Sequence, residues 1–600
     1  MRTVKNIMKT IKNIVKMFDQ AVMLDKGFIF VFILYTVLSS LANIILLYIP
    51  KFSAELVGAN FKNVNLLYLT ALAIVLTAIF EFGSEWMFDI FNSRIFPIRF
   101  GFIGKLSEKF SSLDYCKIMQ EEYVTKGSFA FNAMKSNDVG VQCVLREIFV
   151  IFSSLLSIIL ATGILSNLHI SIVLLCVIFA VVSFVLQKER DKLYFKFAKD
   201  RVKLDNRVSN SLNLLYDIRY GKELRMYDTN KLILNQYSSL MKEQRKRNNR
   251  NNLKFQIFNI CGVILDKGKN ICIYFVLIYL YFQSNMSLGD FILFIGASTE
   301  LSLWLKNFII HFSAIANNGR YINEYYDFLS ISDESSKTEE LHVDHVKDMT
   351  IEFRDVSFRY PESNKYVLQN VSLTIHNGDT VALAGLNGAG KTTFIYLLMR
   401  LYEPTEGAIF LNGVNINRYY KKEYWTLINP LFQDFNIFAF DIRQNVSLKT
   451  KKLTDDQKVE KALGKINLLE KIKQLPTSTK TMLTKEIDSD GLQFSGGESQ
   501  RLAFARTLYR DNSLLLILDE PSASLDPLAE ADLYKEFKEL SRGKTSLFIS
   551  HRFASVSFCD YVIFLNDGKV SEIGTHKELI EKNGTYAELY KIQSDFFHSK

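Results

Sequence analysis

A glycine-rich segment in the second half of the chain has the residue types that bind phosphate. GLNGAGKTT spans residues 385–393 and directly continues the apolar run TVALA. A loop between a buried strand and a helix presents backbone N–H groups to phosphate oxygens, and the helix N-terminus favours negative charge. Lys391 is therefore predicted to bind the β and γ phosphates of ATP, and Thr392 to hold Mg²⁺. The predicted nucleotide-binding residues of this loop are Gly385, Asn387, Gly388, Ala389, Gly390, Lys391, Thr392 and Thr393.

A second apolar run ends in two adjacent carboxylates. In LLLILDE (514–520), a strand-like segment leads into Asp519 and Glu520. Asp519 is predicted to orient the Mg²⁺ shell, and Glu520 to polarise the water that attacks the γ-phosphate. The glycine-rich loop and this strand end together predict Mg²⁺-dependent hydrolysis of ATP.

The first half of the chain supplies long apolar elements. Six stretches are long enough to cross a bilayer, which takes about 20 residues of helix. Several, such as ISIVLLCVIFAVVSFVL, carry no charge. The connections after the second and fourth stretches are long and charged, so these helices are predicted to extend beyond the membrane. The predicted spans are Phe28–Ile49, Leu66–Phe88, Leu145–Leu165, Ile170–Gln187, Ile257–Phe282 and Phe291–Ile315.

The distribution of lysine and arginine predicts the orientation. These residues concentrate in the N-terminal segment and after the fourth span, and such segments lie on the cytoplasmic side. With six spans, both termini and the nucleotide-binding half are expected in the cytoplasm, in a multi-pass protein of the inner (cytoplasmic) membrane. This distribution accounts for the formal net charge of +9 without a nucleic-acid partner. The 6 cysteines fall in predicted spans or cytoplasmic parts, so no disulfide is expected.

The motifs of the last third resemble the ATP-binding-cassette (ABC) family in type and order. FSGGE (494–498) precedes LLLILDE, SASLD (522–526) and the histidine of FISHR. The resemblance implies that Gln433 senses Mg²⁺ and the attacking water, that His551 reaches the γ-phosphate, and that Tyr360 stacks on adenine. The signature residues that the resemblance assigns to ATP bound by a second copy are Ser495, Gly496, Gly497 and Glu498.

Three positions depart from the usual pattern of the family. Phe494 stands in place of a leucine, and Glu498 in place of a glutamine. Ser489, in the segment KEIDSDGLQ before the signature, stands where a glutamate is usual, whereas Glu486 and Gly491 are retained. The effect of Ser489 on coupling is left open.

The order of the parts resembles half-transporters of the exporter type over essentially the whole chain. The predicted fold class is multi-domain, with an all-α six-helix transmembrane exporter domain followed by an α/β P-loop ABC ATPase domain. The first residues place apolar side chains on one helical face and lysines on the other, which predicts a helix at the lipid surface. The predicted parts are an amphipathic elbow helix (1–20), a transmembrane domain (21–330) with coupling helices near 113–123 and 217–228, a linker (331–349) and a nucleotide-binding domain (350–600).

The resemblance also implies a dimer of half-transporters. A homodimer is favoured because Glu520, His551 and the Ser-Gly-Gly core are all present, and a heterodimer remains open. The motif details are closest to bacterial lantibiotic and other peptide exporters without a peptidase domain, so the expected cargo is a peptide; a multidrug or lipid exporter is the alternative. A membrane protein gated or regulated by ATP is the alternative class. The expected partners are a second half-transporter, membrane lipid and the cargo, with no nucleic acid.

Charged residues inside predicted spans are costly and suggest function. Glu81, Glu85 and Asp89 are spaced at i, i+4 and i+8 along one face of the second span. An acidic face lining a cavity would suit a cationic peptide or drug, and Glu300 of the sixth span is a further acid considered for substrate binding. The alternative is that these helices continue into a water-filled vestibule, where Lys267 or Lys269 pairs with the acids.

Overall fold

The computed structural model divides the chain into two compact units. The helical unit comprises Met1–Ser112 and Val124–Ile331, and the α/β unit comprises Leu113–Tyr123 and Ser332–Lys600. The structure describes all residues except 1, 60, 167–168, 218–219, 284–285, 333–340, 362, 486–487, 511–512, 521–534, 550–555, 557 and 599–600.

Long helices dominate the first half of the chain. Six of those described have between 26 and 54 residues, as the long apolar stretches of the sequence predict. In chain order the helices are α1 (Arg2–Leu24), α2 (Gly27–Gly58), α3 (Val64–Ser112), α4 (Tyr115–Ile118), α5 (Glu121–Asn132), α6 (Val141–Ser166), α7 (Ile170–Tyr216), α8 (Gly221–Met226), α9 (Asn230–Gln283) and α10 (Leu288–Leu329).

Five helices of the described residues are long and apolar enough to cross a membrane, namely α2, α3, α6, α7 and α10. The predicted fifth span lies in α9, which is not among them, because Asp266, Lys267 and Lys269 interrupt its apolar segment. The Asp266 carboxylate accepts from Lys306 Nζ of α10 at 2.6 Å and lies 3.8 Å from Lys269 Nζ. The fifth predicted span thus lies in a helix whose apolar segment is interrupted by charges, and Asp266 among them is paired inside the helical unit.

The helical unit has a core where its spans meet. Leu47 of α2, Ala161 of α6, Leu277 of α9 and Trp304 of α10 belong to one buried apolar cluster. Helix α1 packs on α10 through polar contacts, including Asn13 Nδ2 donating to Asn323 Oδ1 at 2.7 Å. Since apolar side chains such as Met8 and Ile11 of α1 stay exposed, α1 has the surface of a helix that lies on lipid.

The α/β unit contains two sheets. The strands are β1 (Ile351–Phe358), β2 (Leu368–Ile375), β3 (Thr380–Gly385), β4 (Glu406–Leu411), β5 (Val414–Asn415), β6 (Ile428–Leu431), β7 (Leu515–Asp519), β8 (Thr545–Ile549), β9 (Tyr561–Asn566) and β10 (Lys569–Gly574). Its later helices are α11 (Lys391–Leu398), α12 (Lys421–Tyr424), α13 (Ile442–Ser447), α14 (Asp456–Lys465), α15 (Leu469–Lys473), α16 (Gly496–Tyr509), α17 (His576–Glu581) and α18 (Thr585–His598).

The smaller sheet is antiparallel in the order β2-β1-β4-β5, and the larger has the order β10-β9-β3-β8-β7-β6. Strands β9, β3, β8, β7 and β6 are parallel, and β10 is antiparallel to β9. Along β7, Leu515 and Ile517 join the core that contains α11, whereas Leu516 and Leu518 join the core that contains α16. Because successive side chains of a strand point to opposite faces, α11 and α16 cover opposite faces of the larger sheet.

The α/β unit also includes residues outside the predicted range 350–600. In the predicted linker, Leu341 forms a bridge with Tyr419, and Met349 is fully buried in the core. Residues 113–123 group with this unit as well. A sequence predicts a domain boundary where its composition changes. Leu341 and Met349 join this unit because they pack against residues far along the chain.

Candidate nucleotide-binding site

The glycine-rich loop lies between β3 and α11, at the carboxyl edge of the parallel strands. Gly385 and Gly390 have φ of +155° and +101°, a region that side chains rarely adopt. A Cβ on Gly385 would lie 2.4 Å from the Leu565 carbonyl oxygen, and one on Gly390 would lie 2.7 Å from Leu368 Cδ2. The tight turn therefore requires glycine at both positions. Of the other predicted loop residues, Asn387 and Gly388 are exposed, whereas Ala389 is buried.

Lys391 extends back over this loop from the start of α11. Its Nζ donates to the carbonyl oxygens of Gly385 at 2.8 Å and Leu386 at 3.0 Å. Burial lowers the pKa of Lys391, and the carboxylates of Glu520 and Asp519 oppose that shift. The arrangement places an ammonium group at the loop, beside two carboxylates.

The next two residues of α11 have different surroundings. Thr392 is exposed, so its hydroxyl is accessible to a ligand. Thr393 is buried, and its Oγ1 shares a hydrogen bond of 2.9 Å with the hydroxyl of Tyr360. The predicted adenine-stacking residue is thus attached to the helix that follows the glycine-rich loop.

The predicted carboxylates stand at the end of β7, the second strand away from β3 in the larger sheet. Asp519 is buried, and burial together with the Glu520 carboxylate raises the pKa of Asp519 to about 6. Glu520 has φ of +44° and donates its N–H to the Ile549 carbonyl at 3.1 Å. Gln433 Nε2 donates to Glu520 Oε2 at 2.8 Å. The structure thus joins two predicted residues that are 87 positions apart.

Two neighbours of these groups were missed by the sequence reasoning. Asp434, next to Gln433, is one of the charges that raise the pKa of Asp519. Its position next to Gln433 in LFQDF could have indicated that it lies near the carboxylates of the site. Lys471 pairs with Glu498 of the signature, and nothing in the sequence linked those two residues.

The signature segment forms the N-terminus of α16. Ser495 Oγ accepts from the N–H of Glu498 at 3.3 Å, and Glu498 Oε2 accepts from the N–H of Ser495 at 3.0 Å. This capping box satisfies two N–H groups at the helix start, where Gly496 and Gly497 form the first turn. The Lys471 ammonium lowers the pKa of Glu498, and the carboxylate is therefore ionised next to the positive end of the helix dipole.

Four tyrosines extend from the predicted adenine position to α4, and the sequence reasoning found only the first. The ring of Tyr360 packs on Tyr402 with centroids 5.3 Å apart, and Tyr402 packs on Tyr115 of α4 at 5.8 Å. Tyr396 lies 6.1 Å from Tyr115 and 6.2 Å from Tyr402. We call these four residues the tyrosine cluster. The spacing of Tyr396 and Tyr402 in YLLMRLY marks two aromatics, but not their contact with residue 115.

Polar contacts also hold residues 113–123, one of the two predicted coupling segments. Asp114 accepts from Lys421 Nζ at 2.7 Å, and Lys117 Nζ donates to the Ser332 carbonyl at 2.8 Å. In the other predicted coupling segment, residues 218–219 lie outside the described part of the chain. There, α8 belongs to the helical unit and leaves Met226 and Tyr227 exposed at 81% and 77%.

Some predicted residues lie outside the described ranges. These are His551, the segment SASLD (522–526), and Glu486 of the segment before the signature. Gly491 of that last segment is described, and a Cβ there would lie 1.8 Å from the Thr484 carbonyl oxygen. The turn before the signature therefore requires glycine at 491.

Residues 368–523 match the family model described as ABC transporter. The subtilin transport ATP-binding protein of Bacillus subtilis is 31% identical over 385 residues, which are 63% of this chain and 61% of that protein. The nisin transport ATP-binding protein of Lactococcus lactis subsp. lactis is 27% identical over 452 residues, 74% of each chain. An ATP-dependent lipid A-core flippase of Alkalilimnicola ehrlichii is 37% identical over 243 residues, 40% of each chain. The matched part of the chain thus spans about three fifths of the length of the subtilin transport protein. It spans about two fifths of the length of the flippase.

A solved structure of a bacterial Atm1-family ABC exporter with ATP bound is similar in fold. The TM-score is 0.76, with 20% identity, over 95% of this chain and 98% of that chain. The likeness confirms the predicted fold class, a helical membrane-type domain followed by an α/β ATPase domain.

Proposed function

The chain contains an ABC transporter ATPase domain, and on this premise we propose that it is one half of an ATP-driven exporter that moves a substrate out across the cytoplasmic membrane. The contact between Gln433 and Glu520 beside the glycine-rich loop carries this proposal. A chain that only bound nucleotide would not need a carboxylate held in place beside Lys391.

The residues present fit ATP with Mg²⁺. Gly385 to Gly390 form the turn for the phosphates, and Lys391 supplies the positive charge. Thr392 and Asp519 would hold Mg²⁺, which neutralises charge on the β and γ phosphates when bound. Gln433 is a further candidate for the metal site because its amide lies on the same side as Glu520.

Glu520 is the proposed base for hydrolysis. Its carboxylate orients a water molecule toward the γ-phosphate and accepts a proton as the water attacks. Gln433 donates to one oxygen of that carboxylate and thereby orients it. His551 is proposed to contact the γ-phosphate, and Tyr360 the adenine, as in the family that the sequence resembles.

A second chain is proposed to complete each site. Helix α16, which begins at the signature, lies on the opposite face of the larger sheet from α11. Ser495, Gly496 and Gly497 are exposed or half-buried, which leaves them accessible to ATP bound by a partner. A homodimer would have two such sites, and closure of the pair would convert an inward-facing cavity to an outward-facing one.

A peptide is the proposed cargo. The alignments with the subtilin and nisin transport proteins are longer than the α/β unit, and therefore include part of the helical unit that a cargo would contact. The alignments with lipid A-core flippases of Alkalilimnicola ehrlichii and Hahella chejuensis are shorter, at 243 and 312 residues, and include less of the helical unit or none of it. Glu81, Glu85 and Asp89 lie exposed along α3, and they are the proposed contacts for a cationic peptide.

ATP turnover by the purified full chain in lipid tests the proposal. We expect wild-type hydrolysis that a cationic peptide stimulates, and a loss of about 100-fold or more in Glu520→Gln with nucleotide binding retained. Glu588→Gln, an exposed acid of α18, is the matched control. Absence of wild-type turnover would favour the regulatory class, and stimulation by lipid or drug alone would reject the peptide.

A further inference from the structure

A basic cavity lies in the helical unit, apart from the proposed ATP site and from the acidic residues of α3. It has a volume of about 1010 Å³ and is lined by α7, α9 and α10. We define the basic cavity by Arg190, Arg247, Arg250 and Lys254, with Phe255 in its apolar wall. We propose that it binds the headgroup of an anionic phospholipid through the phosphate.

The charges of the lining favour an anion. Four basic side chains face two acids, Asp191 and Asp205, and both acids already accept hydrogen bonds. Asp191 accepts from Gln187 at 3.2 Å and from Ser313, and Asp205 accepts from Gln244 Nε2 at 2.7 Å. Among the described lining residues, the four basic side chains outnumber the two acids, so the lining keeps an excess of positive charge.

Two arginines of the cavity are available for a ligand. Arg247 is paired with Glu243 at 2.6 Å. Arg190 and Arg250 make no hydrogen bond or ion pair with any other residue in the described part of the chain. A guanidinium binds phosphate through two parallel N–H groups, and asparagine amides such as Asn251 and Asn317 of the lining supply further donors.

The position of the cavity favours a lipid over a soluble anion. Gln187 ends the predicted fourth span, Ile257 begins the fifth, and Ile315 ends the sixth. The lining residues at 187–191, 251–259 and 310–317 therefore lie where three spans leave the membrane on its basic side. Basic pockets between spans at that level, next to a polybasic segment, suit anionic headgroups.

Apolar groups of the lining fit the rest of a lipid. Phe197 and Phe255 form a ring pair with centroids 5.8 Å apart, and Lys254 Nζ lies 5.6 Å from the centre of Phe197. Ile310 continues this apolar wall on α10. A cationic peptide would be repelled by the four basic groups, so this cavity is distinct from the proposed cargo contacts on α3.

Binding of short-chain lipids to the full chain in a neutral detergent tests this site without any dependence on ATP hydrolysis. The probes are dioctanoyl phosphatidylglycerol, dioctanoyl phosphatidylcholine and glycerol phosphate, with binding read by native mass spectrometry and by the thermal unfolding midpoint. We expect saturable binding of phosphatidylglycerol that exceeds the other two. Equal binding of phosphatidylcholine would overturn the proposal that the cavity selects an anionic headgroup. Equal binding of glycerol phosphate would overturn the proposal that the bound anion is a lipid.

Substitutions distinguish lipid binding in the cavity from attraction to the basic residues around it. Arg190→Gln with Arg250→Gln is expected to weaken phosphatidylglycerol binding by at least about tenfold, because two charged contacts are lost. Arg190→Lys with Arg250→Lys keeps the charge and is expected to restore part of the binding, which excludes misfolding. The matched control, Arg245→Gln with Lys246→Gln, removes equal charge from exposed positions outside the lining. An equal loss of phosphatidylglycerol binding in this control would mean that general surface charge attracts the lipid. It would reject the basic cavity as the binding site.

Discussion

The charged side chains proposed to act in the α/β unit and in the helical unit differ in whether they contact a partner within the chain. In the α/β unit, Lys391, Gln433 and Glu520 are held by named partners before any ligand is considered. In the helical unit, the acids of α3 are exposed, and Arg190 and Arg250 lack a partner within the described residues. The proposed ATP site is therefore preorganised, whereas these charges of the helical unit, unlike Asp266 and Lys306, are not held in an ion pair within the described residues. Preorganised groups should be sensitive to small changes in geometry, and unpartnered groups to changes in charge.

The largest effect is expected at the glycine-rich loop. Gly390→Ala places a Cβ against Leu368 at a φ of +101°, and backbone strain of this kind should weaken ATP binding by about 10- to 100-fold. The matched control is Gly378→Ala, which has φ of +87° and no atom within 4 Å of its Cβ. Both should lower stability, but only Gly390→Ala should change ATP affinity in calorimetric titration. Equal affinities would contradict preorganisation of the loop.

The next effect is on the pH dependence of Mg²⁺ binding. Because the pKa of Asp519 is raised to about 6, its carboxylate is ionised above that pH and is protonated as the pH falls through it. Proton competition should weaken Mg²⁺-dependent nucleotide binding by about tenfold per pH unit below that point. Titrations from about pH 5 to pH 8 measure it.

Asp519→Asn is the control for this pH effect. It should bind Mg²⁺ weakly at every pH and show no inflection near the pKa of Asp519. An inflection that persists in Asp519→Asn would assign the effect to another group.

A smaller effect is expected from the acids of α3. Glu81→Gln with Glu85→Gln should leave basal ATP hydrolysis unchanged and reduce peptide-stimulated hydrolysis several-fold, since these carboxylates have no role in the ATP site. Glu108→Gln, at an exposed position on the same helix, is the matched control. Unchanged stimulation and transport in proteoliposomes would reject the cargo role and favour the water-filled vestibule.

The smallest effect is expected on thermal stability, when two tyrosines in the predicted coupling segments are replaced in turn. Tyr115 contacts two rings of the tyrosine cluster, and ring pairs contribute about 0.5–1.5 kcal/mol each. The two pairs together contribute about 1–3 kcal/mol, so Tyr115→Ala should lower the thermal unfolding midpoint by about 2–12 °C. Tyr220→Ala, at an exposed position beside α8, should change it by less than the measurement error. Equal shifts would mean that the contacts of Tyr115 contribute no stability.

Prediction from sequence succeeded where the signal is local. The glycine-rich loop is contiguous, and its strand and helix flank it directly, so TVALA and GLNGAGKTT predict β3, the turn and α11 together. Long apolar runs likewise predict the helices. The linker boundary and the spans were less reliable, because Met349 is buried by distant strands and because α9 keeps charges that Lys306 of another helix compensates.

The sequence by itself determined the glycine-rich turn between a strand and a helix, the strand that ends in Asp519 and the long apolar helices, since these follow from neighbouring residue types. Only the tertiary structure decided which distant residues meet. The bond between Gln433 and Glu520, the tyrosine cluster and the basic cavity each join segments that are far apart in the chain. Such contacts depend on strand order and helix packing, which no local pattern of residue types encodes.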